Sequence, residues 1–223
     1  MKLVNAKYNL EIILEENKVD VLVVENPQIM TEIVSGIQLQ CNGEEGDFVL
    51  SNGDKILKMD KCMSVVINPF SINLNEKKIV SKLYSELKVI GNEYFVEKEE
   101  VNSKVVQLLD KIVSDTMYNN VVFDLNLDWD GLFKLYTVKI ENSAESLLEN
   151  IIEYTKILSR LCEIKIVCLV NIKSYLDEEE IKQLYEMAFY NKIQLLIIES
   201  NEKTRIDNEN IYIIDKDKCL IVK

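Results

Sequence analysis

The chain has 223 residues, with 26 basic against 38 acidic side chains, a formal net charge of −12 and no histidine. At 48% hydrophobic and 29% charged, with six Gly and two Pro, it reads as a globular chain. Its length suits one medium domain or a core with an appended lobe. The missing histidine excludes a Ser-His-Asp triad, imidazole acid-base chemistry and His-ligated zinc, and the charge argues against a generic basic nucleic-acid binder.

Residues 19–25 (VDVLVVE) form a continuous apolar run rich in β-branched residues, the pattern of a strand buried on both faces. Asn26-Pro27 then supplies an N-cap and a first-turn proline, predicting a helix to about residue 40 that Asn42-Gly43 closes. Short strands are expected at 48–50 and 55–59 around the turn Ser51-Asn52-Gly53-Asp54. A second buried strand at 63–67 (MSVVI) ends at Asn68-Pro69, and Asn73 with Glu76 predicts a capping box for a helix to about residue 90. Helical spacing of Val105, Leu108, Leu109, Ile112 and Met117 predicts an amphipathic helix over about 100–118. An alternating stretch follows Val121, and Asn142 or Ser143 is expected to cap a long helix whose stripe runs from Leu147 to Leu161.

The last third is the clearest. Residues 164–170 (IKIVCLV) read as a strand, and Asp177 with Glu180 makes a capping box before the next helix. Residues 193–199 (IQLLIIE) give another strand, and 211–214 with 220–222 a terminal hairpin. Buried strands alternating with helices imply an α/β fold, a mostly parallel sheet with helices on both faces. The expected division is an α/β head over 1–92 and 141–223, with a helical leg over 93–140 protruding from it.

The five cysteines are scattered, with no C-x-x-C pair, as expected of reduced thiols in a cytoplasmic protein. The first residues are too polar for a secretory leader, and no apolar run nears the ~20 residues that cross a bilayer.

Ligands of such sheets sit at the carboxyl ends of strands, where a nucleotide needs a glycine-rich loop. The junctions here are Glu25-Asn26-Pro27, Asn68-Pro69-Phe70 and Asn171-Ile172-Lys173, with no glycine among them, so no nucleotide is expected. Asp124, Asn126, Asp128 and Asp130, ahead of Gly131, place oxygens at every second position, as the start of a calcium loop does. A strand with acids on its solvent face gives the same pattern, and Thr137 stands where such a loop needs its bidentate Glu. The run 177–180 (DEEE) reads as acids favoured by a helix dipole. Lys55, Lys58 and Lys61 recur every third residue, and Lys77, Lys78 and Lys82 share a helix start; each set is either a solvated face or a stripe touching phosphates. With only Arg160 and Arg205, base-edge readout is disfavoured, so any DNA binding should be sequence-blind and salt-sensitive.

The order and spacing of the last third resemble a known family. The elements are Leu158 to Arg160 leading into the strand 164–170, Val170-Asn171, Tyr175-Leu176, the acidic start 177–181, Tyr185, Asn191, the strand 193–199 and Ile213-Ile214-Asp215. With 65–70, Asn73 and 79–87 (IVSKLYSEL) earlier, this is similar to the Csn-two family, the small spacer-acquisition protein of type II-A CRISPR–Cas loci. The resemblance implies a head derived from a degenerate P-loop NTPase-type sheet and a helical leg. It also implies a homotetrameric ring whose lysine-lined hole takes double-stranded DNA ends, calcium stabilising the assembly, and no catalytic activity. Expected partners are the CRISPR integrase complex and the RNA-guided nuclease, with no membrane. The lysines expected to touch DNA are Lys55, Lys58, Lys61, Lys173 and Lys192, chosen for their place in loops or at sheet edges of the head. This chain departs from the family in lacking a more basic run before Ile164 and in a shorter 118–140 region. Two other readings are a divalent-metal-dependent phosphoesterase or nuclease using Glu25, Asp128, Asp130 and Glu199, and a protein-binding adaptor on a decayed NTPase fold.

Overall fold

A computed structural model describes residues 1–118 and 120–223. In chain order it runs β1 (Lys2–Asn5), β2 (Leu10–Ile13), β3 (Val19–Val24), α1 (Pro27–Cys41), β4 (Phe48–Asn52), β5 (Lys55–Leu57), α2 (Met59–Cys62) and β6 (Met63–Val66). It continues with α3 (Lys77–Gly91), α4 (Phe95–Ser114), α5 (Trp129–Leu135), α6 (Leu147–Cys162), β7 (Ile166–Val170), α7 (Glu178–Tyr190), β8 (Gln194–Glu199), β9 (Glu209–Ile214) and β10 (Leu220–Val222). These divide into two compact units, Met1–Leu74 with Asn142–Lys223, and Asn75–Glu141.

The first unit holds two sheets. The larger has the order β10-β9-β3-β8-β7-β6. Its pairs are parallel except β10 with β9, which closes the chain as a hairpin. All six residues of β3, the carboxyl-bearing Asp20 among five aliphatics, are buried, as befits a central strand between β8 and β9. The smaller sheet, β2-β1-β4-β5, is antiparallel. Neither β1 nor β2 is foreseen from the sequence: each has four residues in the burial alternation of a half-covered strand. Leu3, Ile12, Leu50, Ile33, Ile37, Leu22, Met63 and Ile198 share one core, so α1 and both sheets bury a common face. At about 1.5–3 kcal/mol per buried aliphatic side chain, that core dominates the favourable side of folding.

Local chemistry sets the element ends. Asn26 accepts from the N–H groups of Gln28 and Ile29, with Pro27 at the first helical position. Asp177 and Glu180 form the reciprocal capping box of α7. Two expected caps lie elsewhere. The cap of α6 is Ser146, whose Oγ accepts from the Glu149 N–H at 3.1 Å, while Asn142 closes a turn by accepting from Ala144. Helix α3 starts at Lys77, with no side-chain cap bond from Glu76. Just before it, Asn75 exchanges two 2.8 Å hydrogen bonds with the backbone of Ile140, tying that stretch across the second unit instead of curling it into a box. The strand expected over 55–59 stops at Leu57, and Met59 begins the single turn α2.

The second unit is helical. Trp129 stacks on Phe133, which meets Tyr84 edge-on, and the Tyr84 hydroxyl donates to the carbonyl of Val138. Gly91 is required where α3 passes the indole: a Cβ there would meet the Trp129 ring at 2.9 Å. Helix α3, which the sequence reading places in the head, clusters with this unit through these contacts and the Lys88–Asp130 ion pair.

Candidate nucleic-acid interface

At the carboxyl ends of the parallel strands, the groups a phosphate would use are already taken by the chain. The first N–H groups of α1 and α7 belong to their own caps, Asn26 and Asp177. After β7 the sharp turn is made by Asn171 in the left-handed region (φ 54°), whose Oδ1 accepts from the N–H of Ser200. Beside it the Lys173 N–H donates to Glu199 Oε1 at 2.9 Å.

Lys173 is therefore an interior residue. Its side chain is 6% exposed; its ammonium pairs with Glu209 Oε1 at 2.5 Å and donates to the carbonyl of Thr204 at 3.1 Å. Glu209 also accepts from the Tyr185 hydroxyl at 2.5 Å and from the N–H of Ile206. Burial first, then the neighbouring Glu209 charge, pushes the Tyr185 hydroxyl far up from its ordinary range. Glu199 is fully buried with Oε2 unpartnered, and burial raises its carboxyl above the usual range although the Lys173 N–H draws it back. The expectation that Lys173 touches DNA is corrected here: a buried ammonium spent on a buried carboxylate has no reach to an outside phosphate.

The remaining expected lysines are exposed and fall in two places. Lys55 lies on β5, and Lys58 leads into α2 beside a cleft of about 420 Å³ that also holds Glu44, Glu45 and Asp60. Lys61 and Lys192 lie at the opposite end of the parallel sheet from the phosphate-type junctions. Each stands two residues before a strand, β6 and β8 respectively. Between those strands runs β7, preceded directly by Lys165, whose N–H donates to the carbonyl of Cys62 and whose carbonyl accepts from Gln194. Three exposed lysines thus lead into three adjacent strands. Arg160, in the last turn of α6, joins them by donating to Asn191 Oδ1 at 3.4 Å. The acids in this stretch are Glu163, Asp60 (3.1 Å from the Lys61 ammonium) and Glu186, which with Lys156 lines the hollow beside Arg160 and Asn191. Five cations against three acids make a locally positive edge on a chain of charge −12. It ends at β3, whose lead-in carries Lys18 together with Glu15 and Glu16.

The sequence reading placed Lys165 inside a strand over 164–170; the strand begins at Ile166, leaving Lys165 at the exposed edge. Its alternation with the buried Ile164 and Ile166 was the signal available.

The oxygen-rich segment does not converge. Asp124 accepts from the Asn126 N–H in a local turn, Asp128 caps α5 by accepting from Gly131, and Asp130 pairs with Lys88. The side chains of Asp124, Asp128 and Asp130 are thus engaged in a turn, a cap and an ion pair, the Asn126 backbone N–H serves the turn, and the segment forms no strand, which corrects the strand reading. Among the described residues no group of three or more Cys, Asp or Glu could hold a metal ion. Of the carboxylates weighed for phosphoester chemistry, Glu25 and Glu199 belong to the first unit and Asp128 and Asp130 to the second. No described helix is long and apolar enough to cross a membrane.

An α/β unit with a basic strand-edge row and no phosphate loop, joined to a helical unit, is the class of molecule these features define. Residues 40–218 match the family described as CRISPR-associated protein (Cas_Csn2), and the chain belongs to that family. The CRISPR-associated protein Csn2 of Enterococcus faecalis is 26% identical over 212 residues, covering 93% of each chain. The protein of the same name from Streptococcus agalactiae is 25% identical over 206 residues, covering 90% of this chain and 89% of that one. A solved structure from Pyrococcus furiosus, described as an ATP-binding protein of an ABC transporter, overlaps 91% of this chain and 88% of its own at 14% identity. Its TM-score is 0.42, too loose to carry an argument.

Proposed function

We propose that this CRISPR-associated chain is a non-catalytic, sequence-independent binder of double-stranded DNA ends that acts in spacer acquisition as a homotetrameric ring. The observation that carries the reading is the row Lys61, Lys165 and Lys192 with Arg160, exposed on adjacent strand edges of a strongly acidic protein. Lysine ammonium groups are point charges suited to phosphate oxygens, and three lysines at the starts of neighbouring strands with Arg160 at the end of α6 match a charged backbone better than a base edge. The other arginine, Arg205, donates to the Glu209 carbonyl, which leaves Arg160 alone to reach a base. Segregated positive charge on a net acidic chain favours an enclosed or oriented contact over coating of any polyanion.

In this reading the head is a degenerate P-loop NTPase-type sheet that takes no nucleotide, and the helical unit serves as a leg. Calcium stabilises the assembly of copies. The CRISPR integrase complex and the RNA-guided nuclease are its partners in the cytoplasm.

The test is anisotropy titration of a blunt linear duplex and a closed circular duplex of the same sequence, with and without calcium. Tighter binding of the linear form, weakening steeply with salt, supports the reading. Equal binding to both, or none at 50 mM salt, refutes it.

A further inference from the structure

Helices α6 and α7 leave a hollow of about 310 Å³ between them, beside the basic strand edge. On α7 its wall is Gln183, Glu186, Met187 and Tyr190, whose 3-1-3 spacing is one side of a helix; on α6 it is Lys156 and Arg160, four residues apart. The hollow runs into the edge without a break: Arg160 donates to Asn191 Oδ1 at 3.4 Å, and Lys192 is the next residue. Met187 is 8% exposed and gives an apolar floor. Tyr190 is 88% exposed, the most exposed aromatic side chain among the described residues. The other aromatics of α7, Tyr185 and Phe189, lie with ring centroids 6.4 Å apart, whereas the Tyr190 ring faces solvent. A ring left in water contributes no burial to folding.

We propose that this hollow takes one unpaired nucleotide of a frayed or overhanging DNA end, its base against Tyr190 and Met187 and its phosphate near Lys156 and Arg160. The inference rests on the DNA-end reading and adds to it which ends are held tightest. Stacking on an aromatic ring needs only the π face that every base has, so it is as sequence-blind as the phosphate contacts of the lysine row. Within a duplex both faces of every base are covered by neighbours, so only an end or an extruded base can fill the hollow. Arg160 has donors beyond the one that faces Asn191, and Lys156 supplies a second charge one helical turn away. Glu186 sets the limit. Two cations against its one carboxylate leave the hollow at 2 − 1 = +1, the match for a single phosphate, and a second phosphate would face the acid. The volume agrees, since about 310 Å³ is at the small end of the ~300–1,000 Å³ range of ligand sites, room for one nucleotide and not for a run of them.

The experiment is anisotropy titration of the full chain with one duplex, closed by a hairpin at one end. The other end is blunt, carries one unpaired nucleotide on either strand in turn, or carries one unpaired abasic nucleotide. The unpaired nucleotide on at least one strand tightens binding on the order of tenfold over the blunt end, and the abasic one gives no gain. Tyr190→Ala abolishes the gain, and Tyr190→Phe, which keeps the ring, retains it; circular dichroism checks that both fold. With 2-aminopurine as the unpaired base, stacking quenches its fluorescence on the wild-type protein, a readout that needs no variant. A gain as large for the abasic end, a gain that survives Tyr190→Ala, or no gain on either strand overturns the inference. Blunt-end affinity tells the two claims apart. Blunt binding without an overhang gain removes this inference and leaves the DNA-end reading standing, an overhang bound where the blunt end is not does the reverse, and a chain that binds neither refutes both.

Discussion

Replacing Asp20 by Asn should stabilise the protein, and more so as pH rises. Asp20 lies in the central strand β3 and is fully buried, with Oδ1 accepting from Asn210 Nδ2 at 3.2 Å. Its Oδ2 has no hydrogen-bond partner. Burial raises its carboxyl from 3.8 to about 6; the Asn210 amide pulls it down, Glu15 pushes it up, and the N-terminal ammonium and Tyr212 hydroxyl pull it down slightly. For an acid whose folded pKa lies above its unfolded one, both states are protonated below 3.8 and the native state carries no penalty. Between 3.8 and 6 the unfolded chain ionises first, and above 6 the cost reaches a plateau. At ~1.36 kcal/mol per pH unit the cost is about 1 kcal/mol at pH 4.5, about 2 at pH 5.5 and about 3 at pH 7.5. Asparagine keeps the shape and an acceptor for Asn210 while removing the charge. Urea midpoints for both proteins at these three pH values should separate progressively. At pH 7.5 the melting temperature of Asp20→Asn should be higher by about 6–12 °C. A difference that does not vary with pH, or a variant less stable at pH 7.5, would refute the reasoning.

Lys173→Met should cost about 3–5 kcal/mol by urea unfolding, because it strands the buried Glu209 carboxylate, and should leave the DNA affinity of the folded fraction unchanged. Glu199→Gln keeps the acceptor for the Lys173 N–H and removes a buried charge whose pKa is raised, so it should stabilise at pH 7.5 and lose that advantage as pH falls. Lys192 and Glu163 both sit at left-handed φ, 54° and 59°, where glycine is favoured. Lys192→Gly and Glu163→Gly should thus each hold or raise the melting temperature while moving DNA affinity in opposite directions, the first weaker and the second tighter, read by anisotropy. Gly91→Ala should destabilise the helical unit by about 1–3 kcal/mol, since its methyl meets the Trp129 ring; tryptophan fluorescence during unfolding reports it, as Trp129 is the sole tryptophan.

Strand β3, helix α1 and the capping box of α7 are legible in one dimension because their signals are local: a run rich in β-branched residues, Asn-Pro, and Asp three residues before Glu. The hairpin β1–β2 is not, since four-residue strands become recognisable only against β4 and the core they help cover. Helix α3 misled because Asn73 and Glu76 carry the spacing of a box, while Asn75 is held by the backbone of Ile140, 65 residues away. The basic row was half legible. Lysine before a strand is visible in the sequence, but that Lys61, Lys165 and Lys192 are neighbours depends on the order β8-β7-β6, which local signals do not encode. Lys173 shows the reverse case: it reads as a loop lysine, yet the buried Glu209 at the start of an apolar strand takes its ammonium, while Glu199 takes its backbone N–H.

The central claim is that the positive strand edge holds DNA through its phosphates. The direct measurement is the salt dependence of linear-duplex binding for the wild type and for the triple variant Lys61→Gln, Lys165→Gln and Lys192→Gly. If the three lysines each neutralise one phosphate, the slope of log affinity against log salt becomes shallower by about 2.7, and affinity at 100 mM salt falls more than tenfold. A triple variant that is folded and binds with the wild-type slope would contradict the account.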